Sequence, residues 1–318
     1  MISAISDVIA QIAPIVLMIA LGTVVRTTGI LRPESVEDLK KLVVNVALPA
    51  VLFIAFLDMD LEASYLGLFG TVLVVCLGMY GYGRLAQRIF RVRHEYFPYL
   101  VTGFEFGMVG ITLFGTAYGL DQVGYIALVD LSHELFIWFV FVTMLTAKRD
   151  GVSGFGRTVR SFVQSPLIIA IVLALALNIA GVGPWIRSFP LTAAVTETLE
   201  TVGDLLIPAI LIIIGYGMRL SREGIRQAMG VVAVRLAVLL PLALLINEFV
   251  LNRLLQLDPA FHAAMFTFLV LPPPYIVPLF MKQELTEERT YINNVLSVYT
   301  VVSLLIFIAY FALNPTLG

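Results

Sequence analysis

The residues able to do chemistry here are the ionisable and amide side chains stranded in long apolar runs. Glu105 stands in Thr102-Gly-Phe-Glu105-Phe-Gly107-Met-Val-Gly110, and Asp130 and Glu134 lie four residues apart with His133 beside them. A charge inside a bilayer costs at least ~2.5–3.5 kcal/mol, so each such group calls for a function or a partner. Glu105, Asp130 and Glu134 read as proton- or sodium-coupling sites, because a carboxyl exchanges either ion as its surroundings change; interhelical hydrogen bonding is the structural alternative. Asp130, His133 and Glu134 share a helix face, as metal ligands one turn apart would. A metal is nevertheless not expected. There is no second such cluster, His94 and His262 fall near the ends of apolar runs, and the single Cys76 excludes a cysteine-built site. No cofactor is expected beyond a coupling H+ or Na+.

Arg235 is the lone cation within an apolar run. Its planar fork suits a substrate carboxylate, or it pairs structurally with Asp204 or Glu248. Asn45 and Asp204 each sit four residues before a proline, Pro49 and Pro208. There they can satisfy a carbonyl freed by a kink, with substrate contact as the second reading for Asn45.

The main chain supplies a second kind of chemistry. Pro272, Pro273 and Pro274, followed by Tyr275, remove three successive amide donors, and their rings clash with the preceding turn. Gly103, Gly107 and Gly110 weaken the run around Glu105. Laying Phe268 on Phe104 sets Gly107–Gly110 against Leu271–Pro274. Two unwound segments crossing at mid-bilayer would offer amides to an anion and carbonyls to a cation. The expected binding residues are Glu105, Gly107, Gly110, Pro272, Pro273, Pro274, Tyr275 and Asn45.

The elements that must position these groups follow from composition. Of 318 residues, 59% are hydrophobic and 13% charged, with mean hydropathy +0.96 and net charge −2. A soluble domain carries about a quarter charged residues, which argues against a soluble two-domain enzyme, and the charge gives no case for nucleic acid. Asp7 before and Arg26 after the first apolar run are the reverse of a signal peptide's polarity. Ten spans are expected: 8–25, 36–57, 64–83, 96–118, 123–146, 162–180, 196–217, 228–251, 260–281 and 291–313. Seventeen of the 20 basic residues, Arg219 and Arg157 among them, then lie on one side. Positive residues favour the cytoplasm, which puts both termini outside and the chain in a plasma or bacterial inner membrane.

The halves also match each other. Asn45-Val-Ala-Leu-Pro49-Ala-Val-Leu in the second span parallels Asp204-Leu-Leu-Ile-Pro208-Ala-Ile-Leu in the seventh, and Gln11 to Pro14 parallels Gln164 to Pro166. Residues 1–150 and 151–318 therefore read as two copies of a five-span unit in one integral membrane domain. Because five is odd, the second copy is inverted, the architecture of secondary transporters.

Leu42-Val-Val-Asn45-Val-Ala-Leu-Pro49-Ala-Val-Leu-Phe53, the crossing fourth and ninth spans, and Ser-Val-Tyr-Thr300-Val-Val-Ser303-Leu resemble the auxin efflux carrier family. The resemblance implies an all-α membrane fold of ten helices in two inverted repeats, with a scaffold and a transport module, distantly similar to bile acid sodium symporters. It also implies ion- or potential-coupled movement of an organic anion, an auxin or a dicarboxylate such as malonate, by alternating access. Bacterial members usually carry asparagine where this chain has Glu105. The partners expected are a small-molecule substrate and the lipid bilayer, with a homodimer left open. Competing readings are a channel or sensor on the same scaffold, or an intramembrane enzyme. The last is disfavoured because H-E-x-x-H is absent and Asp204 lies outside a Gly-x-Gly-Asp sequence.

Overall fold

A computed structural model describes residues 2–150, 155–218, 222–282 and 284–317. Arg219 and the side chains of Asp7, Gln11 and Arg157 lie outside the described residues. The described residues are helical with no strand. Seven helices are long and apolar enough to cross a bilayer, the mark of a membrane-embedded protein. They are Pro33–Leu57, Tyr65–Ile89, Phe97–Tyr118, Leu120–Arg149, Pro190–Gly217, Arg222–Leu254 and Thr286–Leu313, with shorter apolar helices at Ala13–Thr28, Pro166–Ile179 and Ala260–Val270. These are called the first to tenth segments in chain order below.

Boundaries differ from expectation where helix propensity outlasts hydrophobicity. The third segment runs on to Ile89, so Arg84 and Arg88 occupy its last turns and not a connection. Long basic side chains allow this, because the stem stays apolar while the head reaches water. The seventh starts at Pro190, where a proline at the first helical position leaves no needed donor unmade.

The chain forms two compact units. Unit 1 comprises Met1–Leu61, Ile111–Ala127 and Ser161–Met218; unit 2 comprises Glu62–Gly110, Leu128–Arg160 and Arg219–Gly318. The sequence halves are thus not the units of compaction: each unit draws segments from both.

In unit 1 the first segment packs on the seventh and the sixth on the second, and each pair is tied at the same place. The Arg26 guanidinium donates to the carbonyls of Tyr216 (2.9 Å) and Met218 (2.5 Å), the end of the seventh segment. The Asn178 amide donates to Phe56 (3.0 Å), Leu57 (3.0 Å) and Met59 (2.6 Å), the end of the second. A helix leaves its last four carbonyls unpaired, and both side chains supply the missing donors. Gly29 and Gly181 follow Arg26 and Asn178 by three residues and turn the chain with φ of 70° and 69°, values that an L side chain resists.

The prolines act locally as well. Pro49 and Pro208 cannot donate to the residue four before them. The helix widens to a π-helical turn over Val43–Ala47 in the second segment and breaks at Asp204–Leu205 in the seventh.

Candidate functional site

The site lies within unit 2, where the fourth and ninth segments are both broken. In the fourth, helix Phe97–Val101 gives way to extended chain at Thr102–Glu105 before helical turns resume at Phe106. Gly103 adopts φ +70°, and a Cβ there would come within 2.7 Å of Pro274 Cγ, so only glycine lets the two breaks approach. In the ninth, helix Ala260–Val270 stops before the three prolines and a short helical turn follows at Val277–Phe280. The Phe104 and Phe268 rings meet at 4.6 Å. Gly110 meets Leu271, since a Cβ on Gly110 would lie 2.8 Å from Leu271 Cδ1.

Freed backbone groups in a buried break must find partners within the protein. The Glu105 N–H donates to the Pro272 carbonyl at 2.8 Å, joining one break directly to the other. Ser303 Oγ donates to the Val270 carbonyl (2.6 Å), the one that Pro274 would serve in a continuous helix. Arg235 donates to the carbonyls of Leu100 (3.2 Å), Gly103 (2.5 Å) and Leu271 (3.2 Å). Its guanidinium carbon also lies 4.7 Å from the centre of the Phe104 ring and 5.3 Å from that of Tyr299, where a cation is attracted to the ring face.

Arg235 therefore departs from both roles foreseen for it. It is 0% exposed and its fork holds three main-chain carbonyls, not a carboxylate. Glu248 instead pairs with Arg253 at 2.5 Å, and Asp204 carries an exposed side chain in unit 1. Helix carbonyls at a break carry enough negative charge to hold a guanidinium, so no acid is required. Asn45 likewise serves a main-chain carbonyl. It belongs to unit 1, and its amide donates to the Lys41 carbonyl at 2.8 Å, one turn before the carbonyl that Pro49 frees.

Glu105 is the ionisable group on the break itself. Its Oε2 accepts the N–H of Tyr275 at 2.6 Å, and its Oε1 faces the N–H of Met108 at a longer 3.4 Å. Tyr275 carries the first amide after the three prolines, so one carboxylate bridges both breaks. Glu105, Gly107 and Tyr275 are partly exposed, whereas Gly110, Pro272, Pro273 and Pro274 are buried. The Tyr275 hydroxyl meets Thr300 Oγ1 at 2.6 Å; Thr300 donates onward to Leu296, which leaves Tyr275 as the donor of that bond.

Behind the break, His133 Nε2 accepts the Phe104 N–H at 3.0 Å and Nδ1 lies 2.7 Å from Asp130 Oδ1. The first contact needs a bare Nε2, so the proton sits on Nδ1 and points at Asp130. Glu134 accepts the indole N–H of Trp138 at 3.0 Å. Asp130, His133 and Glu134 place possible ligand atoms within 4.8 Å of one another. Both ring nitrogens are already engaged, so this arrangement lends no imidazole lone pair to a metal.

Thr300 and Ser303 stood in the sequence only as part of a motif, and His133 only as a candidate metal ligand. All three serve main-chain groups, and only the proline run hinted that such donors and acceptors would be needed. No protein-family model matches the chain, and no curated protein matches it significantly.

Proposed function

We propose that this chain is a secondary transporter of the auxin efflux carrier type, built from ten membrane-crossing helices in two inverted five-helix repeats, 1–150 and 151–318. Duplication is supported by the two caps of unit 1. Leu57 and Met59 precede Tyr216 and Met218 by 159 residues, the offset between Pro49 and Pro208. Arg26 and Asn178 are 152 apart, like Pro14 and Pro166 and like Gly29 and Gly181. Repeated positions thus make repeated contacts.

The transport reading is carried by one observation, the pair of broken segments joined by the Glu105–Pro272 main-chain bond. Non-helical backbone at membrane depth belongs where it lines a passage or a binding site. The substrate is a small organic anion bound beside Glu105, Gly107 and Tyr275, with H+ or Na+ as the coupling ion and no other cofactor. It moves by alternating access in a plasma or bacterial inner membrane, with both termini outside and no bond chemistry catalysed.

Purified protein in liposomes tests this. Labelled carboxylates should accumulate against their own gradient when a pH or sodium gradient is imposed, and uptake should saturate. Absence of flux for every solute under every imposed gradient would reject the transport reading. Flux that neither saturates nor couples would convert it to a channel.

A further inference from the structure

We propose that Glu105 is a tethered competitor for the substrate: an organic carboxylate binds at the crossing only when the Glu105 side chain takes up a proton and leaves the amides it holds. This rests on the transport reading and specifies its coupling ion and order of binding.

The geometry that points to it is the occupancy of the main-chain donors. Tyr275 N–H, the first donor after the proline run, already donates to Glu105 Oε2 at 2.6 Å, and Met108 N–H faces Oε1. Glu105 N–H is held by Pro272 and Phe104 N–H by His133. The cation of the crossing is likewise engaged, with the Arg235 fork on three carbonyls and the residue 0% exposed. An incoming carboxylate therefore meets a carboxylate of the chain already seated on the donors it would use. Two anions on one pair of amides repel one another. A charged amide–carboxylate bond is also roughly twice as strong as a neutral one.

Adding a proton to Glu105 removes the repulsion and weakens its hold on the Tyr275 amide. The step balances simply. Glu105 carboxylate, one proton from water and one substrate carboxylate give neutral Glu105 and a substrate anion on the Tyr275 and Met108 amides, with no net charge added by a monocarboxylate. Among the described residues, the titratable and charged groups of the crossing include Tyr275 on the ninth segment, whose N–H Glu105 holds, His133 with Asp130 and Glu134 on the fifth, bound to the neighbouring Phe104 N–H, and Arg235 on the eighth, bound to the neighbouring Gly103 carbonyl and beside Tyr299 of the tenth.

The test is calorimetric binding of acetate, benzoate and malonate to the full chain in detergent, repeated in buffers of different ionisation enthalpy. The wild type should take up about one proton per ligand bound, and affinity should fall roughly tenfold per pH unit once Glu105 is ionised. Glu105→Ala, and more weakly Glu105→Gln, should bind the same ligands more tightly at neutral pH with no proton uptake and a flat pH profile. Wild-type binding without proton uptake overturns the proposal. So does uptake that persists in both variants, or carboxylate affinity that is absent from the wild type at all pH values and from Glu105→Ala. Preferential binding of an amine that is lost in Glu105→Ala overturns it as well and assigns the carboxylate to a cation. If neither variant folds, the wild-type proton count decides alone. Flux without proton exchange defeats this inference and spares the transporter; proton-linked binding without flux does the reverse.

Discussion

His133 and Phe104 are joined by a bond that runs from main chain to ring: the Phe104 amide, stranded by the break of the fourth segment, donates to His133 Nε2 at 3.0 Å. The other nitrogen faces Asp130 at 2.7 Å, so the imidazole relays an unwound backbone group to a buried acid. His133→Phe would leave the amide without an acceptor and Asp130 without its donor, each costing about 1–3 kcal/mol when buried. His133→Gln can still present an oxygen to the amide and should lose less. Thermal unfolding in detergent should rank the wild type above His133→Gln and His133→Gln above His133→Phe. Zinc should stabilise none of the three, since neither ring nitrogen is available. A zinc-dependent rise in Tm would restore the metal reading.

Arg235 distinguishes structural support from substrate recognition. Its three carbonyls belong to both breaks, and removing the guanidinium leaves them buried without donors. Arg235→Met should destabilise the chain by more than the loss of one bond, since each buried carbonyl left without a donor costs about 1–3 kcal/mol. Arg235→Lys should recover little, because a point-like ammonium cannot reproduce a planar fork over three acceptors. Were Arg235 a counter-charge for substrate, Arg235→Lys would unfold at the wild-type temperature and show only weaker carboxylate binding. That pattern would count against the assignment made here.

A pH effect on stability is expected from Glu95, which lies between the third and fourth segments. Lys148 Nζ sits 2.7 Å from its carboxylate; that hydrogen bond, then the ammonium charge, holds the carboxyl below the usual range. A lowered folded value means the pair contributes fully above the unfolded pKa, about 4.3, and fades as pH falls through the lower folded value. The Glu95 side chain is 71% exposed, so solvent and salt keep the contribution under ~1 kcal/mol. Glu95→Gln should lower Tm by about 1–2 °C at neutral pH and low salt. The difference should shrink as pH falls below the unfolded value and be gone once pH lies below the lowered folded one. Persistence of the deficit in acid would show that the carboxylate charge is not its source.

What could be read in advance divides by the kind of group involved. The apolar stretches predicted the helical segments because hydrophobicity over about 20 residues is a strong, local pattern. Pro272–Pro274 and the glycines beside Glu105 marked both breaks, since missing donors and missing Cβ atoms are visible in residue names. The partners of the freed groups were not visible. Which carbonyl Arg235, Ser303 or Asn178 would reach depends on packing between segments far apart in sequence, and a guanidinium suits a carboxylate as well as three carbonyls. Chemical type narrowed each role, and only geometry could choose among those left. Asn45 shows the same limit at short range. Its amide was expected to serve a carbonyl freed by the kink, and it serves that of Lys41, one turn before the carbonyl that Pro49 leaves unpaired.

Asn178 offers the sharpest test of the caps that support duplication. Its two amide hydrogens serve the carbonyls of Phe56, Leu57 and Met59, all within 3.0 Å, so one hydrogen is shared. Asn178→Asp keeps the shape and replaces the donor with a carboxylate facing three carbonyl oxygens. Asn178→Ala merely leaves them unpaired. The isosteric change should therefore be the worse one, destabilising by about 2–4 kcal/mol against about 1–3 kcal/mol for alanine. The reason is that charge repulsion adds to the lost bonds. Arg26→Ala should resemble Asn178→Ala, because it uncaps the repeat-related carbonyls of Tyr216 and Met218. Denaturant or thermal unfolding of the four proteins gives the order directly. If Asn178→Asp proved as stable as Asn178→Ala, the amide would not be the donor, and the strongest contact-level support for an inverted repeat would be lost.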